Sequence, residues 1–260
     1  MKAIILILIT TLSFSVFGQT DQAVYDKNGI HHEWSYSGEY GPTHWSEIDP
    51  GYADCNGIYQ SPININTKES NDATLHLKFH YHPFFVDLIN NGHTLIEKIV
   101  EPKALEFNNK NYSLLQFHFH TPSEHHVDDN EFPMEIHFVH QSPEGIYAVV
   151  AVLVKEGQNE NHFLTHFMKS LPTHYNEEIR TNEKADPIET FPKHLDRFYY
   201  YNGSFTTPPC TEGVHWIIME EVVEATNEQI ESIHKIIKED NRPVQKINNR
   251  LVFHSGSLTK

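Results

Sequence analysis

Three histidines in this chain have the types and spacing of a metal site. His118 and His120 alternate with phenylalanines, and His137 follows in the segment Met-Glu-Ile-His-Phe-Val. Side chains alternate faces along a β-strand, so His118 and His120 should point the same way. A turn after Thr121-Pro122 would let a second strand bring His137 to the same face. Three neutral imidazoles could then hold a zinc ion and leave one position open for water, which is typical of a catalytic zinc site.

Each of the two strands also carries a residue that could orient a ligand. Gln116 lies two positions before His118, and Glu135 lies two positions before His137. A ligating histidine usually donates its other ring N–H to an amide, carboxylate or carbonyl. The chain has 20 histidines, so a single His-x-His pair would more simply be a surface or core pair. The third histidine and the two partners in phase favour the metal site.

The elements that must position these residues are mostly strands. The nearly continuous apolar run 146–154 predicts a central strand buried on both faces, and Asn90-Asn91-Gly92 predicts a turn between two strands. Alternation predicts further strands near residues 75–79, 84–90, 93–100, 112–120, 133–140 and 214–222.

Two helices are predicted at the periphery. One covers roughly 159–170, with Phe163 and Phe167 on one stripe, and the other follows Thr226, which forms a capping-box pattern with Gln229. For both we expect simple packing against the core. The fold class is therefore mostly β (α+β), a single domain built on a large mixed sheet with peripheral helices.

The first residues have the pattern of a secretory signal. Lys2 precedes the apolar run 3–9, and small or polar residues follow up to Gly18. This predicts a signal peptide at 1–18 and a mature domain at 19–260, located in the periplasm or secreted. A membrane anchor is the alternative, but the apolar run is well short of the 18 or more residues that a spanning helix needs. We therefore expect no membrane attachment after cleavage.

Charge and cysteine content narrow the possibilities further. The formal net charge of −16 would repel nucleic acid phosphates, which argues against that class of partner. Cys55 and Cys210 are the two cysteines. An exported chain favours a disulfide between them, with two unpaired buried thiols as the alternative.

Many segments of the chain, in order, match one family: 34–36, 41–45, 60–64, 90–93, 116–125, 135–137, 203–209, 216, 241–245 and 248–250. Through them the chain resembles the alpha-class carbonic anhydrases, and especially their bacterial exported members. The resemblance implies a ten-stranded, mainly antiparallel central sheet. It also implies reversible hydration of carbon dioxide to bicarbonate and a proton, by attack of a zinc-bound hydroxide.

The resemblance places Zn²⁺ on the same three histidines and implies roles for other residues. Thr206 would accept a hydrogen bond from the hydroxide and donate its own hydrogen to Glu124 in a second one, and His93 would shuttle protons to the buffer. The residues implied to support the ligands His118, His137 and His120 are, respectively, Gln116, Glu135 and Asn248.

A small apolar slot is expected beside the metal, since carbon dioxide has no charge and little polarity. Tyr36 and Asn91 would help to hold a chain of waters that leads out of it. The resemblance further implies inhibition by sulfonamides and anions, and it allows a homodimer. The expected slot residues are Val139, Val149, Phe205, Thr207, Val214 and Trp216.

Three other functions are compatible with parts of this sequence. A non-catalytic relative would keep the fold, a zinc hydrolase would act on esters, and a metal-buffering protein would account for the many histidines. Relatives without activity typically lack a zinc histidine, whereas all three are present here together with Thr206 and Glu124. The small apolar slot favours carbon dioxide over esters.

Overall fold

The computed structural model describes residues 34–256, so the predicted signal peptide at 1–18 lies outside the described residues. Three α-helices are α1 (Trp45–Ile48), α2 (His162–Thr165) and α3 (Asn227–Ile237). None of the helices within residues 34–256 is both long enough and apolar enough to span a membrane.

The strands are β1 Asn64–Ile65, β2 Asn71–Asp72, β3 Leu77–Phe79, β4 Phe84–Asn90, β5 Leu95–Phe107, β6 Lys110–His120, β7 His126–Val127, β8 Met134–Gln141, β9 Tyr147–Gly157, β10 Glu178–Ala185, β11 Phe198–Ser204, β12 Glu212–Met219, β13 Val223–Thr226 and β14 Phe253–Ser255.

One large sheet dominates the fold. Its strand order is β10-β4-β5-β6-β8-β9-β12-β11-β14-β2, with β3 paired to β5 and β13 to β9, while β1 and β7 form a separate pair. The large sheet is antiparallel except where β9 meets β12 and β13 and where β14 meets β2. The mostly β, mainly antiparallel fold is therefore confirmed, but the described sheet has twelve strands rather than ten.

The two faces of β6 and β8 have different chemistry because their side chains alternate. Phe117 and Phe119 point into the main core, opposite Phe138 and Ile136 on β8. His118 is directly opposite His137 on the other face. Strand β9 lies beside β8 and is buried on both faces over most of its length, as its apolar sequence predicted.

The helix predictions are confirmed in one case and wrong in extent in the other. Helix α3 begins with the Thr226–Gln229 capping box. Helix α2 has only four residues, after which the chain continues through turns such as Ser170 N to Phe167 O. Phe163 and Phe167 are nevertheless fully buried. Turns with i→i+3 hydrogen bonds bring both rings to the core, so the apolar stripe did not require a long helix.

A disulfide joins the N-terminal part of the domain to the segment before β12. Cys55 and Cys210 are bonded, with 155 residues of sequence separation, so the alternative of two free thiols is wrong. In the chain-entropy model, closing so long a loop contributes on the order of 5 kcal/mol.

Glu97 is a buried carboxyl on the core side of β5, and it makes stability depend on pH. Burial raises its pKa to about 8, although the Asp87 N–H that it accepts works in the opposite direction. The folded protein therefore holds this proton more tightly than the unfolded chain does. The resulting stability is complete below the unfolded pKa of about 4.5 and is lost as pH rises through about 8.

We expect Glu97→Gln to gain stability relative to the parent as the pH is raised from 5 to 9. Urea unfolding midpoints of both proteins at several pH values provide the measurement. A difference between the two proteins that is constant with pH would contradict this assignment. Glu106→Gln is the control, since Glu106 is a partly exposed carboxylate that pairs with Lys78.

Candidate metal centre

His118, His120 and His137 converge on one face of the sheet, as the strand pattern predicted. The cross-strand pairing of His118 with His137 brings their facing nitrogens, Nε2 and Nδ1, to 3.3 Å. The ligand atoms of all three histidines lie within 4.8 Å of one another. This spacing is compact enough for one ion to contact all three nitrogens.

The outer nitrogen of each imidazole has a hydrogen-bond acceptor. His118 Nδ1–H donates to Gln116 Oε1 at 2.7 Å, and His137 Nε2–H donates to Glu135 Oε1 at 2.7 Å. These bonds assign the tautomers, which leave lone pairs on the inner nitrogens.

The support expected for the third ligand is wrong. His120 Nδ1–H donates to the backbone carbonyl of Asp240 at 2.8 Å, not to Asn248. Asn248 is exposed, and its amide donates to the Ile58 carbonyl. A backbone carbonyl leaves no side-chain signature in the sequence, which is why the wrong residue was chosen.

The chemistry of these donors fits a divalent cation such as zinc. Burial lowers the pKa of His118 well below its usual value, lowers that of His120 to about 4, and lowers that of His137 as well. The imidazoles are therefore neutral at pH 7, the form that binds metals. The inner nitrogen of His120, Nε2, is buried and has no hydrogen-bond partner among residues 34–256. Facing lone pairs of this kind are stabilised by a cation.

Glu135 is held in place by other groups besides His137. Its Oε1 also accepts from His125 Nδ1 at 2.7 Å, and its Oε2 accepts from the backbone N–H groups of Glu124 and His125 at 2.8 Å each. Burial alone would raise the pKa of Glu135, but His125 and His137 outweigh it and hold this pKa well below the usual value. An ionised Glu135 makes His137 a stronger ligand.

Glu124 lies beside the inner nitrogens of His120 and His137. One of its oxygens, Oε1, accepts from the Arg242 backbone N–H at 3.0 Å, and the other, Oε2, is 3.5 Å from His120 Nε2. Burial raises the pKa of Glu124 to about 7, and His137, the Arg242 N–H and the Thr206 hydroxyl each oppose this rise. Thr206 is itself buried. The structure thus brings Thr206 and Glu124 together beside the three histidines.

The expected slot residues form an apolar wall on the same face of the sheet. Val139 follows His137 by two positions on β8 and pairs with Val149 on β9. The Trp216 ring is 4.9 Å from the His137 ring, centre to centre. Phe205 is half-buried and packs edge-on against Tyr147, and Thr207 is also half-buried. Five of these residues belong to one apolar cluster: Val139, Val149, Phe205, Val214 and Trp216.

His93 lies in the turn between β4 and β5. Its imidazole is stacked on the Trp34 ring, with 3.8 Å between the ring centres. Asn91 shapes this turn, because its Oδ1 accepts from the N–H groups of His93 and Thr94. Tyr36 packs against Trp34 and Trp45, and burial together with the charges of Asp240 and Glu124 raises its pKa well above the usual value.

Comparisons with known proteins agree with this geometry. The family model for eukaryotic-type carbonic anhydrase matches residues 40–256. A carbonic anhydrase of Pectobacterium atrosepticum is 34% identical over 85% of this chain and 90% of its own. The alpha-carbonic anhydrase of Thermovibrio ammonificans, solved with sulfanilamide, has a TM-score of 0.79 and 36% identity over 85% of this chain and 98% of its own. A Chlamydomonas reinhardtii carbonic anhydrase solved with acetazolamide has a TM-score of 0.74 and 30% identity, covering 86% of this chain and 99% of its own.

The chain belongs to the eukaryotic-type, or alpha, carbonic anhydrase family. It is an enzyme of that family's zinc-dependent reaction, the hydration of carbon dioxide to bicarbonate.

Several residues at the site were not assigned from sequence. Asp240 accepts from His120 through its carbonyl, Arg242 holds Glu124 through its N–H, His125 also donates to Glu135, and Trp34 stacks on His93. The segment 241–245 was part of the family resemblance, which was a signal for Arg242. Its chemistry could not be derived, because the backbone makes the contact.

Proposed function

We propose that His118, His120 and His137 bind one Zn²⁺, and that the chain hydrates carbon dioxide at this ion. Zinc bound in this way activates a coordinated water as a nucleophile near neutral pH. The observation that carries the proposal is the convergence of three neutral imidazoles whose outer N–H groups all have acceptors. The remaining steps belong to the protein's own residues.

Thr206 and Glu124 orient the attacking water. The Thr206 hydroxyl donates its hydrogen to Glu124, so its oxygen can then act only as an acceptor. That oxygen accepts a hydrogen bond from the water and directs a lone pair of the water toward the substrate carbon. The Arg242 N–H supports this role, because it holds the carboxylate of Glu124 in place and favours its ionised form. A positive ion nearby would lower the pKa of Glu124 further.

The apolar wall receives carbon dioxide. A molecule with no net charge and little polarity gains nothing from hydrogen-bond donors and is favoured by a dry surface. Val139, Val149, Val214 and Trp216 are at most 5% exposed and lie on the metal face. Phe205 and Thr207 complete the outer end of this slot, and bicarbonate leaves past them.

His93 carries the released proton to the buffer. Histidine is the side chain best suited to accept and release protons near neutral pH. Its place in the β4–β5 turn, stacked on Trp34, keeps the ring on the rim of the domain. Tyr36 and Asn91 help to order the waters between the metal and this ring.

We expect His93→Ala to lower turnover by at least about 10-fold in dilute buffer, and added imidazole to restore it. The control is His194→Ala, which removes an exposed histidine far along the chain and should leave turnover unchanged. The measurement is stopped-flow hydration at several buffer concentrations. Full turnover of His93→Ala in dilute buffer would contradict the assignment of His93 as the proton shuttle.

The activity itself is tested by stopped-flow hydration with and without a chelator and a sulfonamide. We expect activity that a chelator removes and that sulfanilamide or acetazolamide inhibits, since relatives of known structure bind these compounds. Simple anions should inhibit as well, because they compete for the open metal position. Ester hydrolysis without carbon dioxide hydration would favour the zinc hydrolase, and metal uptake without either activity would favour a metal buffer.

We also propose export of the mature protein to the periplasm or the medium. The Lys2 and apolar-run pattern of residues 1–18 supports cleavage near Gly18, and the Cys55–Cys210 disulfide suits an oxidising compartment. A homodimer remains part of this proposal. Intact mass and light scattering of the purified protein measure both features.

A further inference from the structure

Arg242 is a buried cation with an unusual set of partners. It is 1% exposed, its Nη1 donates to Gln60 Oε1 and the Ser61 carbonyl at 2.8 Å each, and its Nη2 donates to the Cys55 carbonyl at 2.9 Å. The guanidinium carbon is 5.4 Å from the centre of the Trp45 ring. Burial lowers the pKa of Arg242 to about 10, so it remains charged at neutral pH. A charge buried among neutral carbonyls costs stability. A role at the metal site would account for this cost.

The backbone around Arg242 contacts the metal site directly. Its own N–H holds Glu124, and the carbonyl two residues earlier, at Asp240, holds the ligand His120. These contacts come from a segment without helix or strand, since α3 ends at Ile237 and β14 begins at Phe253. An irregular segment needs side-chain anchors to hold its backbone groups precisely.

The residues that accept hydrogen bonds from the Arg242 guanidinium are themselves bonded to the loop that carries Thr206. Gln60 Nε2 donates to the Cys210 carbonyl at 3.2 Å, and the Ser61 N–H donates to Ser204 Oγ at 2.9 Å. Cys55 is disulfide-bonded to Cys210. The fork of the guanidinium thus joins the segment that holds Glu124 to the segment that holds Thr206.

We propose that Arg242 is a positioning residue for the metal site, acting with Gln60. It fixes the segment 240–242, so that the Asp240 carbonyl orients His120 and the Arg242 N–H aims Glu124 at Thr206. This inference rests on the proposed function, in that His120 must be a metal ligand. A lysine cannot replace Arg242, because its ammonium cannot span three acceptors in a planar fork.

The test compares Arg242→Lys with Arg250→Lys. Arg250 is a matched control, since its guanidinium, like that of Arg242, donates to three carbonyl oxygens, here the backbone carbonyls of Ile247, Asn202 and Lys246, and lies 5.5 Å from an aromatic ring centre. We expect Arg242→Lys to weaken zinc binding by about 10- to 100-fold, the usual effect of losing support behind a ligand. The visible spectrum of the cobalt-substituted protein should also change. Arg250→Lys should keep zinc affinity within about twofold and keep the cobalt spectrum of the parent.

Gln60→Leu is the second variant, for the case in which Arg242→Lys does not fold. It should weaken zinc binding in the same direction, and combining it with Arg242→Lys should add little, because the two residues act as one unit. Parent-like zinc affinity and cobalt spectra in folded Arg242→Lys and Gln60→Leu would overturn the inference. Equal weakening in Arg250→Lys would also overturn it, since the effect would then be general destabilisation. A parent protein that binds no zinc would instead contradict the proposed function.

Discussion

His137→Ala should abolish stoichiometric zinc binding and lower carbon dioxide hydration by at least about 10³-fold. The remaining two imidazoles lie on one strand and cannot enclose an ion that was held from two strands. Loss of the ligand also leaves Glu135 with His125 as its only imidazole partner among the described residues. Zinc content and stopped-flow hydration of the purified variant provide the measurements.

The matched control for this variant is His140→Ala. His140 is also a fully buried histidine of β8, but it lies on the opposite face of the strand and contacts Tyr81. Its replacement should lower stability and leave about one zinc per chain. If both variants keep zinc, or if both lose it, the assignment of His137 fails.

Glu124→Gln should lower hydration by about 10²-fold or more while zinc remains bound. The amide can still accept from the Arg242 N–H, so the segment around it should stay in place. Its NH₂ group, however, would donate toward Thr206 where the carboxylate accepted. The Thr206 oxygen would then no longer be directed to accept from the attacking water.

The companion variant Thr206→Val tests whether the two residues work as a pair. Each single change should cost nearly as much as both together, because either one breaks the same chain of hydrogen bonds. Stopped-flow rates of the two single variants and the double variant form the cycle. Additive losses would mean that Glu124 acts through another residue, and an unchanged rate in Glu124→Gln would remove it from the mechanism.

The sequence predicted those features that depend on strand alternation. The phase of His118, His120 and His137 placed all three on one face, and the same phase placed Gln116 and Glu135 beside their ligands. The alternation of side chains along a strand is fixed by backbone geometry, so predictions based on it do not depend on how the strands pack together. Helix α3 could be predicted equally well, since its capping box is formed by residues close together in the sequence.

Features made by the backbone or by very short elements could not be predicted in this way. The support for His120 is a carbonyl, which every residue possesses, so Asp240 had no signature and Asn248 was chosen wrongly. Strand β2 has two residues, both exposed, and strand β14 has three residues, too few to show alternation, which accounts for the difficulty of counting strands. The apolar stripe at Phe163 and Phe167 marked burial correctly but not the length of helix α2.

Zinc content of the full-length purified protein, measured by elemental analysis beside its hydration rate, tests the central claim most directly. About one zinc per chain is expected, with hydration lost when a chelator removes the metal and regained when zinc is returned. Folded, active protein without stoichiometric metal, or metal-loaded protein that does not hydrate carbon dioxide, would contradict the account.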